Sequence, residues 1–191
     1  MTRFSNLTTV GLLAVFTVLC LVGQSQVYAR AEEAKPQAAT QQSAQPTAMP
    51  SSDPIWAANF KDLTGTPQAL SVYKGKVAMV YFWATWCEPC QKEGPAFQAL
   101  YEKLKDKNFV VVGIAVDNAD KVREFVKAKG MMFPIVYGGT DAIKLSKDLG
   151  NSLGGIPYLV IIDKDGRIVE RITGDAKEGR IEGIVTPLLV K

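Results

Sequence analysis

The chain contains no histidine. That excludes a Ser–His or Cys–His nucleophile pair, a histidine-ligated metal and a histidine pH switch. Cysteine is scarce, with only Cys20, Cys87 and Cys90. Charge of either sign is missing between Arg3 and Arg30, and the whole chain carries only +3. So small a charge gives no reason to expect nucleic acid as a partner. There is no internal repeat. The Gly-Gly pairs at 138–139 and 154–155 follow no strand–loop–helix phosphate pattern, which disfavours nucleotide binding. What is present is ordinary for a globular protein: 47% hydrophobic and 21% charged residues in a chain of 191, enough for one domain with an appendage.

The uncharged N-terminal gap holds a strongly apolar run from Leu7 to Gly23, then the small-residue patterns Val27-Tyr28-Ala29 and Ala29-Arg30-Ala31. A basic start, an apolar core and such an end read as an export signal over residues 1–31. The run is long for a cleaved signal and marginal for a spanning helix, which needs roughly 20 residues. Cleavage, and retention as a membrane anchor through residues 7–23, both fit. Cys20 follows Leu19, whereas a lipid attachment site wants a small residue there, so it reads as one more apolar residue. Either outcome exports the rest of the chain, to the periplasm or the outer face of the cytoplasmic membrane. Residues 32–53 are rich in Ala, Gln, Pro and Ser and cannot bury a core. They read as a disordered linker with a reach of about 25 Å. The folded domain is expected over 54–191.

Within that domain, Ile55–Phe60 and Gln68–Leu70 flank a turn-rich interval and predict a short hairpin. Val77–Trp83, Phe109–Val116 and Tyr158–Ile162 are continuous apolar runs, the pattern of strands covered on both faces. Phe97, Leu100, Tyr101 and Leu104 lie on one helical face. Val122, Phe125 and Val126 mark a second helix closed by Gly130. Phe133–Val136 is a short extended piece, and Thr140 is placed to cap a third helix that Gly150 stops. Asp163-Lys164-Asp165-Gly166 predicts a tight turn into Arg167–Ile172. Its likeness to the start of a calcium loop lacks the remaining ligands. A weak last helix carries Ile181, Ile184, Val185 and Leu188, interrupted by Gly183 and Pro187. The order predicts an α/β fold, a mixed central sheet with helices on both faces.

Phe82-Trp83-Ala84-Thr85-Trp86-Cys87-Glu88-Pro89-Cys90 joins a buried strand to a helix. Unpaired N–H groups and the positive dipole end stabilise a thiolate at a helix start, so Cys87 is the expected nucleophile. Cys90, one turn in, resolves the mixed disulfide. Trp86 can pack beside the pair and screen it from water. Pro89 suits a first turn that needs no N–H. Glu88 works against the thiolate and should raise the Cys87 pKa, which leans towards a reductant. A structural disulfide is the alternative in an exported chain. Half a zinc site lacks further ligands, and covalent haem attachment needs a histidine where Gln91 stands. No metal and no cofactor is called for.

The segment Trp83–Cys90 resembles the active-site segment of the thioredoxin superfamily, in particular its exported TlpA/ResA-like branch. The resemblance covers most of 53–191. It extends to Pro95 in the helix, to Gly155-Ile156-Pro157 as the family's cis-proline loop, to the N-terminal hairpin and to a helical insert before Gly155. It implies a thioredoxin-like fold and an exported thiol–disulfide oxidoreductase, with Pro157 facing the disulfide and the Ile156 backbone pairing with substrate. It also implies that Glu93 is buried near the cysteines and aids proton transfer; a solvated helix glutamate is the alternative. The sequence departs from thioredoxin at Tyr81, where thioredoxin has a buried aspartate, and at Tyr158, where a threonine is frequent. The implied partners are protein disulfide or dithiol substrates and, for a reductant, a membrane electron donor. Cytochrome c maturation is the best-known use of this branch. A disulfide oxidant or isomerase, and a peroxiredoxin-like peroxidase, are the rival readings. The peroxidase lacks its usual Thr-x-x-Cys setting here.

Overall fold

A computed structural model describes residues 52–190. The expected signal or anchor over 1–31, and the linker up to residue 51, lie outside the described residues. The last two residues assigned to that linker belong to the fold. Ser52 is buried; its hydroxyl donates to the Gly166 carbonyl and accepts from the Trp56 indole N–H at 2.7 Å.

The elements in order are α1 (Asp53–Ala57), β1 (Asn59–Asp62), β2 (Pro67–Ala69), β3 (Val77–Trp83), α2 (Glu88–Leu104), β4 (Phe109–Ala115), α3 (Ala119–Lys129), β5 (Ile135–Tyr137), α4 (Gly139–Asp148), β6 (Tyr158–Ile162), β7 (Ile168–Thr173) and α5 (Glu178–Leu189). Seven strands form one sheet in the order β2-β1-β5-β4-β3-β6-β7. β3, β4 and β5 run parallel, while β1, β6 and β7 pair antiparallel with their neighbours.

Every residue of β3, β4 and β6 is buried, as their unbroken apolar runs predict for strands covered on both faces. Alternate side chains of β3 serve opposite faces. Val77, Met79, Tyr81 and Trp83 meet Phe97 and Leu100 of α2, Val122 of α3, and Ile181 and Val185 of α5. Ala78, Val80 and Phe82 meet Ile55 and Trp56 of α1 and Ala142 and Leu145 of α4. This is the expected α/β thioredoxin-like fold: a mixed sheet, helices on both faces, an N-terminal hairpin, and α4 as the insert before the Gly155 loop.

Three local expectations are corrected. The strand expected from Ile55 starts only at Asn59. Pro54 in a first turn favours a helical start, and α1 buries Ile55 and Trp56 together. Thr140 does not cap α4; Gly138 does, without a side-chain bond. A Cβ at Gly138 would sit 2.3 Å from the Phe60 ring, so only glycine lets the helix begin so close to β1. α5 runs unbroken through Gly183 and Pro187; burial of Ile181 and Val185 outweighs their weak propensity. Gly130 closes α3 as expected, with φ +64° and its N–H on Lys127 and Val126.

Candidate active site

β3 delivers the chain to the site at Trp83. Ala84 then accepts the Cys87 N–H at 3.2 Å, forming the turn that ends the strand. Cys87 is the N-cap of α2. Its backbone is extended (φ −86°, ψ 105°), its carbonyl accepts from Gln91 N–H at 3.0 Å, and its sulfur accepts from Cys90 N–H at 3.3 Å. Pro89 lies in the first turn, where its missing N–H costs nothing. This geometry brings the Cys87 and Cys90 Cα atoms to 5.2 Å, and the two sulfurs are bonded to one another. Cys87 retains 6% of its surface and Cys90 1%, so the first cysteine is the one that solvent reaches.

The turn before Cys87 is braced from the neighbouring strand. The Thr85 hydroxyl and N–H both donate to the Asp117 carboxylate, at 2.5 and 3.3 Å, and the Gln91 amide donates to the Thr85 carbonyl at 2.6 Å. The parallel register Trp83↔Ala115 carries Asp117 alongside.

Glu93 is 5% exposed, three residues beyond Cys90 on α2. One carboxylate oxygen accepts from the Tyr81 hydroxyl at 3.0 Å and the other from the Ala176 N–H at 2.6 Å. Burial pushes its pKa above the ordinary value, and the two donors only partly restrain the rise. The Tyr81 hydroxyl also lies 3.2 Å from the Cys90 carbonyl oxygen. A carboxyl group able to hold a proton is thus held one helical turn from the inner cysteine.

The Ile156–Pro157 peptide bond is cis. The antiparallel register Phe82↔Tyr158 sets Pro157 level with Trp83, the last residue of β3, just before the Ala84–Cys87 turn departs. Ile156 packs against the apolar clusters of both sheet faces, which places it at the sheet's end. The loop ahead of it is tied internally by the buried Asn151, whose amide donates to the Gly155 carbonyl at 2.8 Å and to Ser146 at 3.2 Å.

Two of the residues expected at the site behave differently from expectation. Trp86 does not cover the pair: it is 64% exposed, an indole offered to solvent beside Cys87. Glu88 is exposed and turns along the helix to Lys92 at 2.8 Å. The hydrogen bond and charge of Lys92 lower its pKa and offset the field it was expected to impose on Cys87. Tyr81 was visible as a departure from thioredoxin, but its bond to Glu93 was not. Ala176 and the Thr85–Asp117 brace carried no sequence signal, because their partners are 83 and 32 residues away.

A thioredoxin-like sheet with a Cys-x-x-Cys disulfide at the start of α2 and a cis-proline loop at the same strand end defines a thiol–disulfide oxidoreductase. Comparison with known proteins agrees, and the chain belongs to the Redoxin family, whose pattern it matches over residues 46–186. It is 37% identical over 131 residues to the thiol-disulfide oxidoreductase ResA of Bacillus thuringiensis (strain Al Hakam), covering 66% of this chain and 73% of the relative. Among solved structures it is similar to a thiol:disulfide interchange protein of the thioredoxin family from Chlorobium tepidum TLS, with a TM-score of 0.64 and 28% identity over 76% of this chain and 98% of the other. The fold also matches a secreted disulfide oxidoreductase of Mycobacterium tuberculosis described as homologous to DsbE of E. coli, with a TM-score of 0.62 and 21% identity over 71% of this chain and 99% of that one.

Proposed function

We propose that the protein is exported and reduces disulfides in other exported proteins. The Cys87 thiolate attacks one sulfur of a substrate disulfide and the other sulfur leaves as a thiolate, giving a mixed disulfide. Cys90 then loses its proton and attacks the Cys87 sulfur, and the second substrate thiol is released. Two electrons pass to the substrate and the Cys87–Cys90 disulfide forms. Glu93 takes the proton from Cys90. Ile156 and Pro157 receive the substrate backbone beside the sulfurs, the exposed Trp86 contacts its side chains, and Pro89 and Glu88 tune the thiolate.

The observation that carries the direction is the charge around the pair. A strong oxidant stabilises its thiolate, and so its reduced form. Here the α2 N-terminus supplies that stabilisation, but the Lys92 charge is paired off by Glu88, and the acidic group that remains is the buried Glu93, one turn from Cys90. A second negative charge near Glu93 is disfavoured, which favours the disulfide and makes the dithiol a willing donor. The uncharged N-terminal segment supports export, by a cleaved signal over 1–31 or by a retained anchor at 7–23. We place a linker after it and the oxidoreductase domain from Ser52 onward. Among the described residues no helix is long and apolar enough to cross a membrane. Family resemblance supports cytochrome c maturation as the setting, with a membrane protein returning electrons to the oxidised pair.

Two measurements test this. Equilibration with thiol buffers is expected to give a reduction potential nearer the about −270 mV of thioredoxin than the about −120 mV of a strongly oxidising thiol enzyme; a value near the latter reverses the direction. Replacing Cys90 with alanine in cells is expected to trap exported, cysteine-containing proteins on Cys87, identifiable by mass. Recovery of no trapped protein overturns the substrate assignment.

A further inference from the structure

The Tyr81 hydroxyl faces two acceptors at once, the Glu93 carboxylate at 3.0 Å and the Cys90 carbonyl at 3.2 Å. It has one proton to give. Burial, and then the neighbouring Glu93 charge, push its own ionisation far above the ordinary 10.0, so it remains a neutral phenol throughout the working pH range. Its ring is locked: Phe97 meets it edge-on at 4.9 Å, and Trp83 lies parallel to it at 6.4 Å. Only the hydroxyl hydrogen is free to turn.

We infer that Tyr81 is a positioning residue whose hydroxyl switches between Glu93 and the Cys90 carbonyl as Glu93 gains and loses its proton. With Glu93 ionised, the phenol donates to the carboxylate, the stronger charge-assisted bond. With Glu93 protonated, the carboxyl O–H donates to the phenol oxygen, and the phenol turns its own O–H to donate to the Cys90 carbonyl. The Ala176 N–H stays on the other carboxylate oxygen in both states. The Glu93 carboxyl, the Tyr81 hydroxyl and the Ala176 N–H are therefore partnered before and after the proton moves, and no side chain has to be repacked. Leaving one unpaired would carry the full desolvation cost. The proton that reaches Glu93 is the one Cys90 gives up, so the switch links the resolving step to the backbone of the resolving cysteine. This role rests on the reading of Glu93 as the acceptor for Cys90.

The titratable groups that act on Glu93 are Tyr81 on β3 and Asp175 ahead of α5, and its own helix start carries Cys87, Cys90 and the exposed Lys92–Glu88 pair. Asp175 adds a like charge that favours the protonated carboxyl.

The test is a pair of titrations on the purified chain: the Glu93 carboxyl carbon followed by NMR, and the rate of protein disulfide reduction against pH. Tyr81→Phe keeps the ring and removes the donor to the charged carboxylate. The Glu93 midpoint is expected to rise by about one pH unit, and the corresponding limb of the rate profile to move with it. Uniform 3-fluorotyrosine labelling of the unsubstituted chain strengthens the donor and is expected to move both the other way; it needs no substitution and so covers a poorly folding variant. If Glu93→Gln abolishes the limb but Tyr81→Phe and the fluorinated chain titrate like wild type, the switch is overturned and the role of Glu93 stands. A Glu93→Gln profile identical to wild type overturns the role of Glu93 and the positioning role with it.

Discussion

Glu93 and Asp163 are both nearly withdrawn from water, at 5% and 7% exposure, yet their surroundings drive them apart. Asp163 opens the β6–β7 turn. Burial alone would raise its pKa, but the N–H groups of Arg167 and Asp165 and the Arg167 guanidinium donate to it at 2.9–3.0 Å and lower it on balance. Glu93 receives two donors, neither charged, so burial prevails and its pKa rises. Burial sets the cost of a charge, and the charge and number of the donors decide whether the charge persists. Asp163 uses a lasting charge to hold a turn. Glu93 is left with its pKa raised, beside the one disulfide of the described residues.

The contrast can be broken or sharpened by substitution. The largest effect is expected from Cys87→Ser: insulin reduction falls to the uncatalysed rate while the Asp163 hairpin keeps its amide chemical shifts. Residual catalysis would mean that the chemistry is not confined to the α2 end. Next is Asp163→Ala, which strands buried donors at the turn and should cost about 1–3 kcal/mol in urea unfolding, with exchange per folded molecule unchanged. Loss of activity without loss of stability would sink the division of labour.

A smaller effect lies in the pH dependence of stability, where the two carboxyls should act in opposite windows. The folded pKa of Glu93 lies above its ordinary 4.5. Its contribution is complete below 4.5 and is lost as pH rises through the folded value, so Glu93→Gln should gain on wild type over that rise. The amide suits the site, since its oxygen can accept from Ala176 and its NH2 donate to Tyr81, which frees the phenol for Cys90. The folded pKa of Asp163 lies below 3.8. Its contribution is present above 3.8 and is lost as pH falls through the folded value, so the deficit of Asp163→Asn should close on acidification. Urea midpoints from pH 3 to pH 8 measure both. Least of all, Glu88→Gln removes an exposed pair with Lys92 and should leave the melting temperature unchanged, with the thiolate absorbance of Cys87 shifting by less than about half a pH unit.

Much of the architecture was legible because local rules and tertiary demands agreed. The unbroken runs Val77–Trp83 and Tyr158–Ile162, and Phe109–Val116 up to Ala115, became the three fully buried strands, and Gly130 ended α3 where a left-handed cap was needed. The misreadings at α1 and Thr140 arose where tertiary packing overrode weak local signals. Ile55 and Trp56 fit a strand or a helical turn equally well, and the start of α4 was decided by the ring of Phe60, 78 positions away in a chain whose short-range pattern favoured Thr140.

At the site, the sequence by itself determined the reacting pair. Two cysteines at a strand-to-helix junction, in a chain without histidine, leave little chemistry other than thiol exchange, because spacing along one helical turn sets both their separation and the thiolate's electrostatics. Tertiary structure alone decided which neighbours matter. Trp86 was turned outward, Glu88 was drawn to Lys92, and Glu93 was enclosed between a tyrosine from β3 and a backbone N–H from the far end of the chain. The physical reason is that desolvation and hydrogen bonding depend on every atom within a few ångströms, and those atoms come from segments that only the folded sheet brings together.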